Sequence, residues 1–123
     1  FQLLYFGFKT TRPMVADRRV REAMSIAINR AELAKAILLG NADPAFTNVD
    51  PDALDFDPKT RDIVKEDLER AKKLLDEAGW TLNGDVREKD GERLSFVCTT
   101  VTGDSTRRGE AEIVQQYLAE VGI

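Results

Sequence analysis

The stretch Arg19–Gly40, RVREAMSIAINRAELAKAILLG, carries two helix-length apolar stripes with almost no break between them. Val20, Ala23, Met24, Ala27 and Ile28 recur at the spacing of one helix face. Asp17 stands where an N-cap belongs, and the pattern carries that helix to about Ile28. The next four residues, Asn29-Arg30-Ala31-Glu32, form a capping box: Asn29 accepts from the Glu32 backbone N–H while Glu32 reaches back. A second short helix then turns Leu33, Ala34, Ile37 and Leu38 inward, with Gly40 as its expected left-handed stop. Two helices meeting this tightly make sense when both must lie on one sheet at different angles. The stretch reads as scaffold.

Working outward, Gln2–Lys9 (QLLYFGFK) is aromatic-rich, ends at the polar TTRP, and reads as a strand. Asn41 to about Lys65 is rich in Asp and Pro, which predicts a long irregular crossing with one short helical turn after Pro58. Asp67 caps a helix with Leu68, Ala71, Leu75 and Ala78 inward and Gly79 as terminator. Asn83-Gly84 and Asp90-Gly91 are turn signals, the second joining two strands in a hairpin. The later of these strands is expected to be a core strand from Leu94 to Thr100. A final helix buries Ile113, Val114, Tyr117, Leu118 and Val121 and stops at Gly122. This order predicts an α/β fold, a mixed sheet with helices packed on it, with the last strand and helix opening a βαβ unit. The chain starts inside a strand-like run and stops at AEVGI just after a helix, so residues 1–123 are expected to be one domain excised from a larger protein.

Composition narrows the chemistry. With 123 residues the chain has the size of one domain and can bury roughly two-thirds of the surface its unfolded form exposes. Hydrophobic residues make up 42% and charged residues 33%, the balance of a globular protein. No run approaches the ~20 apolar residues of a membrane span. The net charge of −4 argues against a nucleic-acid partner, and the basic pairs Arg18-Arg19 and Arg107-Arg108 have acidic neighbours. There is no histidine, which excludes a Ser-His-Asp or Cys-His constellation and an imidazole zinc site within the chain. The single Cys98 lies in the apolar run LSFVCTT and reads as a buried thiol; a reactive nucleophile is the sharper alternative. Neither a Walker pattern nor G-x-G-x-x-G occurs. The carboxylate pairs Glu66-Asp67 and Asp76-Glu77 read as solvated helix faces rather than a hydrolytic pair. NVDPDALDFD lacks the Gly-centred loop and terminal Glu of an EF-hand. No catalytic residue, cofactor or metal site is expected, and the chain does not read as an enzyme.

One loop stands out as a candidate site. TTVTGDS follows the expected last strand and runs into a helix N-terminus, the place where open α/β sheets bind ligands. Thr99, Thr100 and Thr102 offer short donors and acceptors, Gly103 lets a ligand approach the backbone, and helix N–H groups favour an anion. The alternative is an ordinary connector capped by Asp104 or Ser105.

Taken in order, YFGFKTTRP, DRRVREAMSIAINRAEL, DLERAKKLLDEAGW, DGERLSFVCTT and AEIVQQYLAEVGI resemble the extracytoplasmic solute-binding proteins of peptide/nickel ABC transporters, family 5. The resemblance spans nearly the whole chain and is most specific in RVREAMSIAINR and AKKLLDEAG. It implies a periplasmic-binding-protein-like lobe, the central part of lobe II of a two-lobed protein that closes around a ligand by hinge motion. It implies capture of an oligopeptide, dipeptide or related small solute for import, permease subunits as partners, a monomer, and a periplasmic or extracytoplasmic location with a lipid anchor as one option. Ligand-facing residues are then expected at Tyr5 and Gly7 near the hinge and at Thr99, Thr100, Thr102 and Gly103. Where the family has Phe-Asn at the end of the first strand this chain has Phe8-Lys9, which alters a common polar contact. Oligosaccharides and nickel complexes are alternative ligands within the family, and a ligand-sensing lobe of a transcription regulator is an alternative outside it.

Overall fold

Asp17 accepts a hydrogen bond from the Arg19 backbone N–H (2.8 Å) and opens α2 (Arg18–Ile26), whose buried residues Val20, Ala23, Met24 and Ile26 form one wall of the core. The computed structural model describes residues 3, 5–39 and 41–123. A single turn, α1 (Pro13–Ala16), precedes α2 and starts with Pro at its first position, where the missing N–H costs nothing. After α2 the chain turns at Ala27–Asn29 into α3 (Arg30–Leu38), and the Asn29 side chain accepts from the Glu32 N–H at 3.0 Å as the capping pattern predicts. The left-handed residue ending α3 is Leu39 (φ 51°), one residue before the expected Gly40, which lies outside the described residues.

The crossing that follows is irregular except for α4 (Thr60–Ile63), one turn after Pro58 as expected. Asp67 caps α5 (Leu68–Glu77) through the Arg70 N–H, and its own N–H donates to the Ile26 carbonyl at 2.9 Å. That backbone bond ties the start of α5 to the end of α2. Ala71 and Leu75 of α5 then meet Val20, Ala23 and Ala27, all at zero exposure. Burying residues such as Val20, Ile26 and Leu75 stabilises the fold by about 1.5–3 kcal/mol each.

Three strands form an antiparallel meander: β1 (Thr81–Asn83), β2 (Val86–Lys89) and β3 (Glu92–Arg93). Thr81 pairs with Glu88 and Asn83 with Val86, leaving Gly84-Asp85 as a two-residue turn with φ +64° at Gly84. Lys89 pairs with Glu92 across Asp90-Gly91, where both residues have positive φ, the signature of a type I′ hairpin. Both turn signals therefore make hairpins. Helix α6 (Ser105–Ala119) is capped by the Asp104 side chain, which accepts from the Arg107 N–H, and buries Val114 against the body.

Arg87 binds these pieces together. It is only 4% exposed, yet it sits in a strand whose other side chains are partly or fully open. Its Nε donates to the Val121 carbonyl (2.7 Å), and its Nη1 to the Trp80 carbonyl (2.7 Å) and Asp76 Oδ1 (2.5 Å). Its backbone N–H donates to Gly122 (2.8 Å) and its carbonyl accepts from Leu94 (2.8 Å). Gly122 must be glycine for this to close: a Cβ there would stand 2.8 Å from Leu82 Cδ1 and 2.9 Å from Arg87 Cγ.

The helices-with-sheet lobe architecture is present, with two corrections. Residues 5–9 and 94–100 form no ladder among the described residues, although both were expected as strands. The reason is that a strand is defined by its partner: aromatic and β-branched composition supplies propensity but no neighbour. Gln2 and Leu4, within the first expected strand, lie outside the described residues. Cys98 is exposed, where a buried thiol was expected, because the run that carries it is unpaired.

Arg87→Ala is expected to destabilise the protein by about 3–5 kcal/mol, because two buried carbonyls lose their donor. Asp76→Asn should cost about 1 kcal/mol or less, since that carboxylate is largely solvated and screened. Urea denaturation of both variants checks the ordering.

Candidate functional site

Residues Tyr5, Gly7, Thr99, Thr100, Thr102 and Gly103 are all exposed. Tyr5, at 79%, lies beside Gly7: a Cβ on Gly7 would stand 3.9 Å from Tyr5 Cε2. The loop from Thr99 to Gly103 ends with Gly103 in the left-handed region (φ +88°), which turns the chain into α6. No hydrogen bond among the described residues links this loop to residues 5–8, so the two candidate segments are open but not joined. Their backbone donors and acceptors have no protein partner among the described residues over 5–8 and 96–102.

The start of α6 settles differently from its simplest reading as an anion site. The Asp104 carboxylate occupies the first-turn amide of Arg107 at 3.0 Å, and Arg107 Nε folds back onto Asp104 at 3.3 Å. The helix terminus already holds an anion of its own, as in the connector reading. Further along the same helix, burial raises the Glu110 pKa, with the Asp104 charge adding to it and Arg107 opposing. What the loop leaves open is therefore the threonine hydroxyls and the backbone of residues 99–103.

Two surface grooves lie elsewhere. One, of about 480 Å³, runs between the β1–β2 hairpin and the end of α6, past Leu82, Val86, Gly122 and Ile123. The other, of about 220 Å³, lies at the α2–α3 junction beside Arg30, Phe46 and Lys65. Neither is lined by a sequence-predicted site residue. Among the described residues no group of three or more His, Cys, Asp or Glu side chains is placed to hold a metal ion, and no helix is long and apolar enough to cross a membrane.

The raised Glu110 pKa has a defined sign. An acid shifted upward on folding carries no penalty below its unfolded value of about 4.5, and the native state loses stability as pH rises through the folded value. Glu110→Gln is expected to raise the denaturation midpoint at pH 7 and leave it unchanged at pH 3, as chemical denaturation at the two pH values will show.

With this geometry in place, the comparisons are informative. Residues 1–123 match the family model described as "Bacterial extracellular solute-binding proteins, family 5 Middle". The oligopeptide-binding protein AppA of Bacillus subtilis is 32% identical over 124 residues, 98% of this chain and 23% of the relative. Its structure in complex with a nonapeptide superposes with a TM-score of 0.83 at 29% identity, over 95% of this chain and 24% of that one. NikA from Brucella suis, in complex with Fe(III)-EDTA, gives a TM-score of 0.82 at 32% identity, over 93% of this chain and 23% of that one. The nickel-binding periplasmic protein of Escherichia coli is 31% identical over 98% of this chain and 23% of its own length. The chain thus spans about a quarter of the length of these relatives, and across that span its backbone follows the fold of the superposed structures. It belongs to the family 5 bacterial extracellular solute-binding proteins, with a periplasmic-binding-protein-like fold.

Proposed function

We propose that the chain is the central part of lobe II of the substrate-binding component of an ABC importer, a non-enzymatic lobe that captures an oligopeptide or similar small solute outside the cytoplasm. The observation that carries this reading is the match of all 123 residues to one family whose relatives include a protein solved with a nonapeptide. Half a cleft cannot bury a ligand as a closed pocket does, so the reading requires a second lobe and a hinge. Tyr5 and Gly7 near the hinge and Thr99, Thr100, Thr102 and Gly103 on the loop are the proposed ligand-facing residues. Their support is exposure together with unused backbone donors and acceptors, the groups that bind a peptide independently of its side chains. Permease subunits are the proposed protein partners, and the protein is proposed to act as a monomer, in the periplasm or lipid-anchored at the cell surface.

A thermal-shift series on the full-length protein, with peptide pools, oligosaccharides and nickel chelates, tests the reading. A ligand that binds only the native state adds about 2.7 kcal/mol at a hundredfold excess over its dissociation constant, which raises the midpoint measurably. Stabilisation by peptides is the expected result. Stabilisation by sugars or nickel chelates alone would replace the substrate, and no stabilisation by any class would overturn the reading.

A further inference from the structure

The chain is acidic overall, with a net charge of −4, yet residues 9–21 hold five of its 18 cations and one of its 22 carboxylates. Two of the five are used inside the fold. Arg19 pairs with Asp17 (2.7 Å) and donates to the Glu77 carbonyl, and Arg21 donates to the Val15 and Ala16 carbonyls at the end of α1. Lys9, Arg12 and Arg18 are exposed, with no carboxylate at ion-pair distance among the described residues. Basic pairs elsewhere are compensated: Lys72 and Lys73 by Glu69 and Glu77, Arg107 and Arg108 by Asp104 and Glu112.

Lys9 and Arg12 are also held together. The Arg12 N–H donates to the Lys9 carbonyl at 2.9 Å. This closes a β-turn, whose end residues stand within about 7 Å of each other. Two like charges that close repel, and no carboxylate among the described residues offsets them. The turn directly follows Tyr5 and Gly7. Residues two apart share a side of an extended run, which groups Lys9 with both. A Cβ on Gly7 would meet only Tyr5 Cε2, at 3.9 Å, so residue 7 leaves open space beside the ring.

We infer that the Lys9–Arg12 turn recognises a carboxylate of the solute and makes the protein select solutes that carry one. The inference rests on the solute-capture reading and deepens it. Arg12 supplies a planar fork that matches a carboxylate with two parallel hydrogen bonds, and Lys9 a compact charge beside it. Tyr5, at the other end of the row, offers a ring to the apolar part of the same solute. An unmodified linear peptide carries a carboxylate at its C-terminus and others on acidic side chains, so one chemistry has two sources. An exposed ion pair is worth little in open water. Closure of a second lobe over the turn, which excludes water, is what gives the contact its strength.

Calorimetric titration of the full-length protein with three peptide pools tests it. One pool has free C-termini and no acidic side chains, one has amidated C-termini and no acidic side chains, and one is amidated but carries a glutamate in every peptide. A pool bearing a carboxylate is expected to bind at least about tenfold more tightly than the neutral amidated pool. Which of the two does so tells terminus from side chain. In the Lys9→Gln, Arg12→Gln double variant that ratio is expected to fall to near one, while Lys9→Arg keeps it. Arg18→Gln removes a charge from the same patch outside the turn and is expected to leave the ratio unchanged. Equal binding of all three pools by the wild-type protein would overturn the inference and leave the capture reading standing. A ratio that survives the double variant would also overturn it. So would an equal loss in Arg18→Gln, which would assign the selectivity to the general positive field. No binding of any pool would remove the capture of peptides and this inference with it.

Discussion

Carbonyls at and just beyond the C-terminal end of α5 are met by cations brought from elsewhere in the fold, and the packing depends on these bonds. Three cations supply them, one from α2 and two from β2. Arg19 of α2 donates to the Glu77 carbonyl at 2.6 Å, Lys89 of β2 to Ala78 at 2.8 Å, and Arg87 of β2 to Trp80 at 2.7 Å. Each places positive charge where the helix dipole is negative. Arg87 goes further, because its second arm holds the Val121 carbonyl after α6. One side chain therefore fixes the hairpin against the ends of two helices, and Trp80, Leu94 and Val121 close over it as core. The arrangement resembles a buried ion pair only in part. Asp76 is largely solvated, so much of the stabilisation comes from neutral carbonyls whose desolvation would otherwise be uncompensated.

The α2–α3 junction follows the same logic at smaller scale. Arg30, the first residue of α3, sends its Nη1 back to the Ser25 carbonyl at 2.9 Å and across to Val64 at 3.1 Å, and its Nη2 to Ser25 Oγ at 2.8 Å. Burial lowers its pKa, but an arginine retains its charge throughout the accessible range. Every acceptor here is uncharged, so Arg30 works as a bracket joining the end of α2, the start of α3 and the chain after α4. On the other side α3 lies against α6, where a Cβ on Gly109 would stand 3.1 Å from Ile37 Cδ1. The most regularly patterned stretch of the sequence is thus committed to holding helices in place.

Local rules made most of the helical scaffold legible. Asp17, Asn29, Asp67 and Asp104 each cap a helix through the backbone N–H two or three residues on, and the stripes of α2 and α5 bury the side chains their spacing points inward. The exceptions are instructive. Ile28 was placed on the buried face of α2, yet Ile26 takes that position, because the helix ends there and the chain turns. Arg87 in VREK looks like one of several solvated charges. Only the fold, which brings the ends of α5 and α6 to it, makes it the buried centre. The two aromatic or β-branched runs, 2–9 and 94–100, declare strand propensity but cannot declare a partner, which is a property of chain distant in sequence. For the candidate site the sequence located an exposed loop at a helix start. It offered Asp104 or Ser105 as the cap of an ordinary connector beside the anion-site reading, and the structure gives the first-turn amide to Asp104.

Taken together, a rigidly bracketed set of helices presents two open segments, and the family places that set in proteins about four times longer. The central claim is that this lobe forms one side of a cleft that closes on its solute. Small-angle scattering of the full-length protein, with and without a saturating peptide pool, addresses it most directly. Hinge closure predicts a smaller radius of gyration in the bound state. An unchanged radius at saturation would contradict a two-lobed capture mechanism.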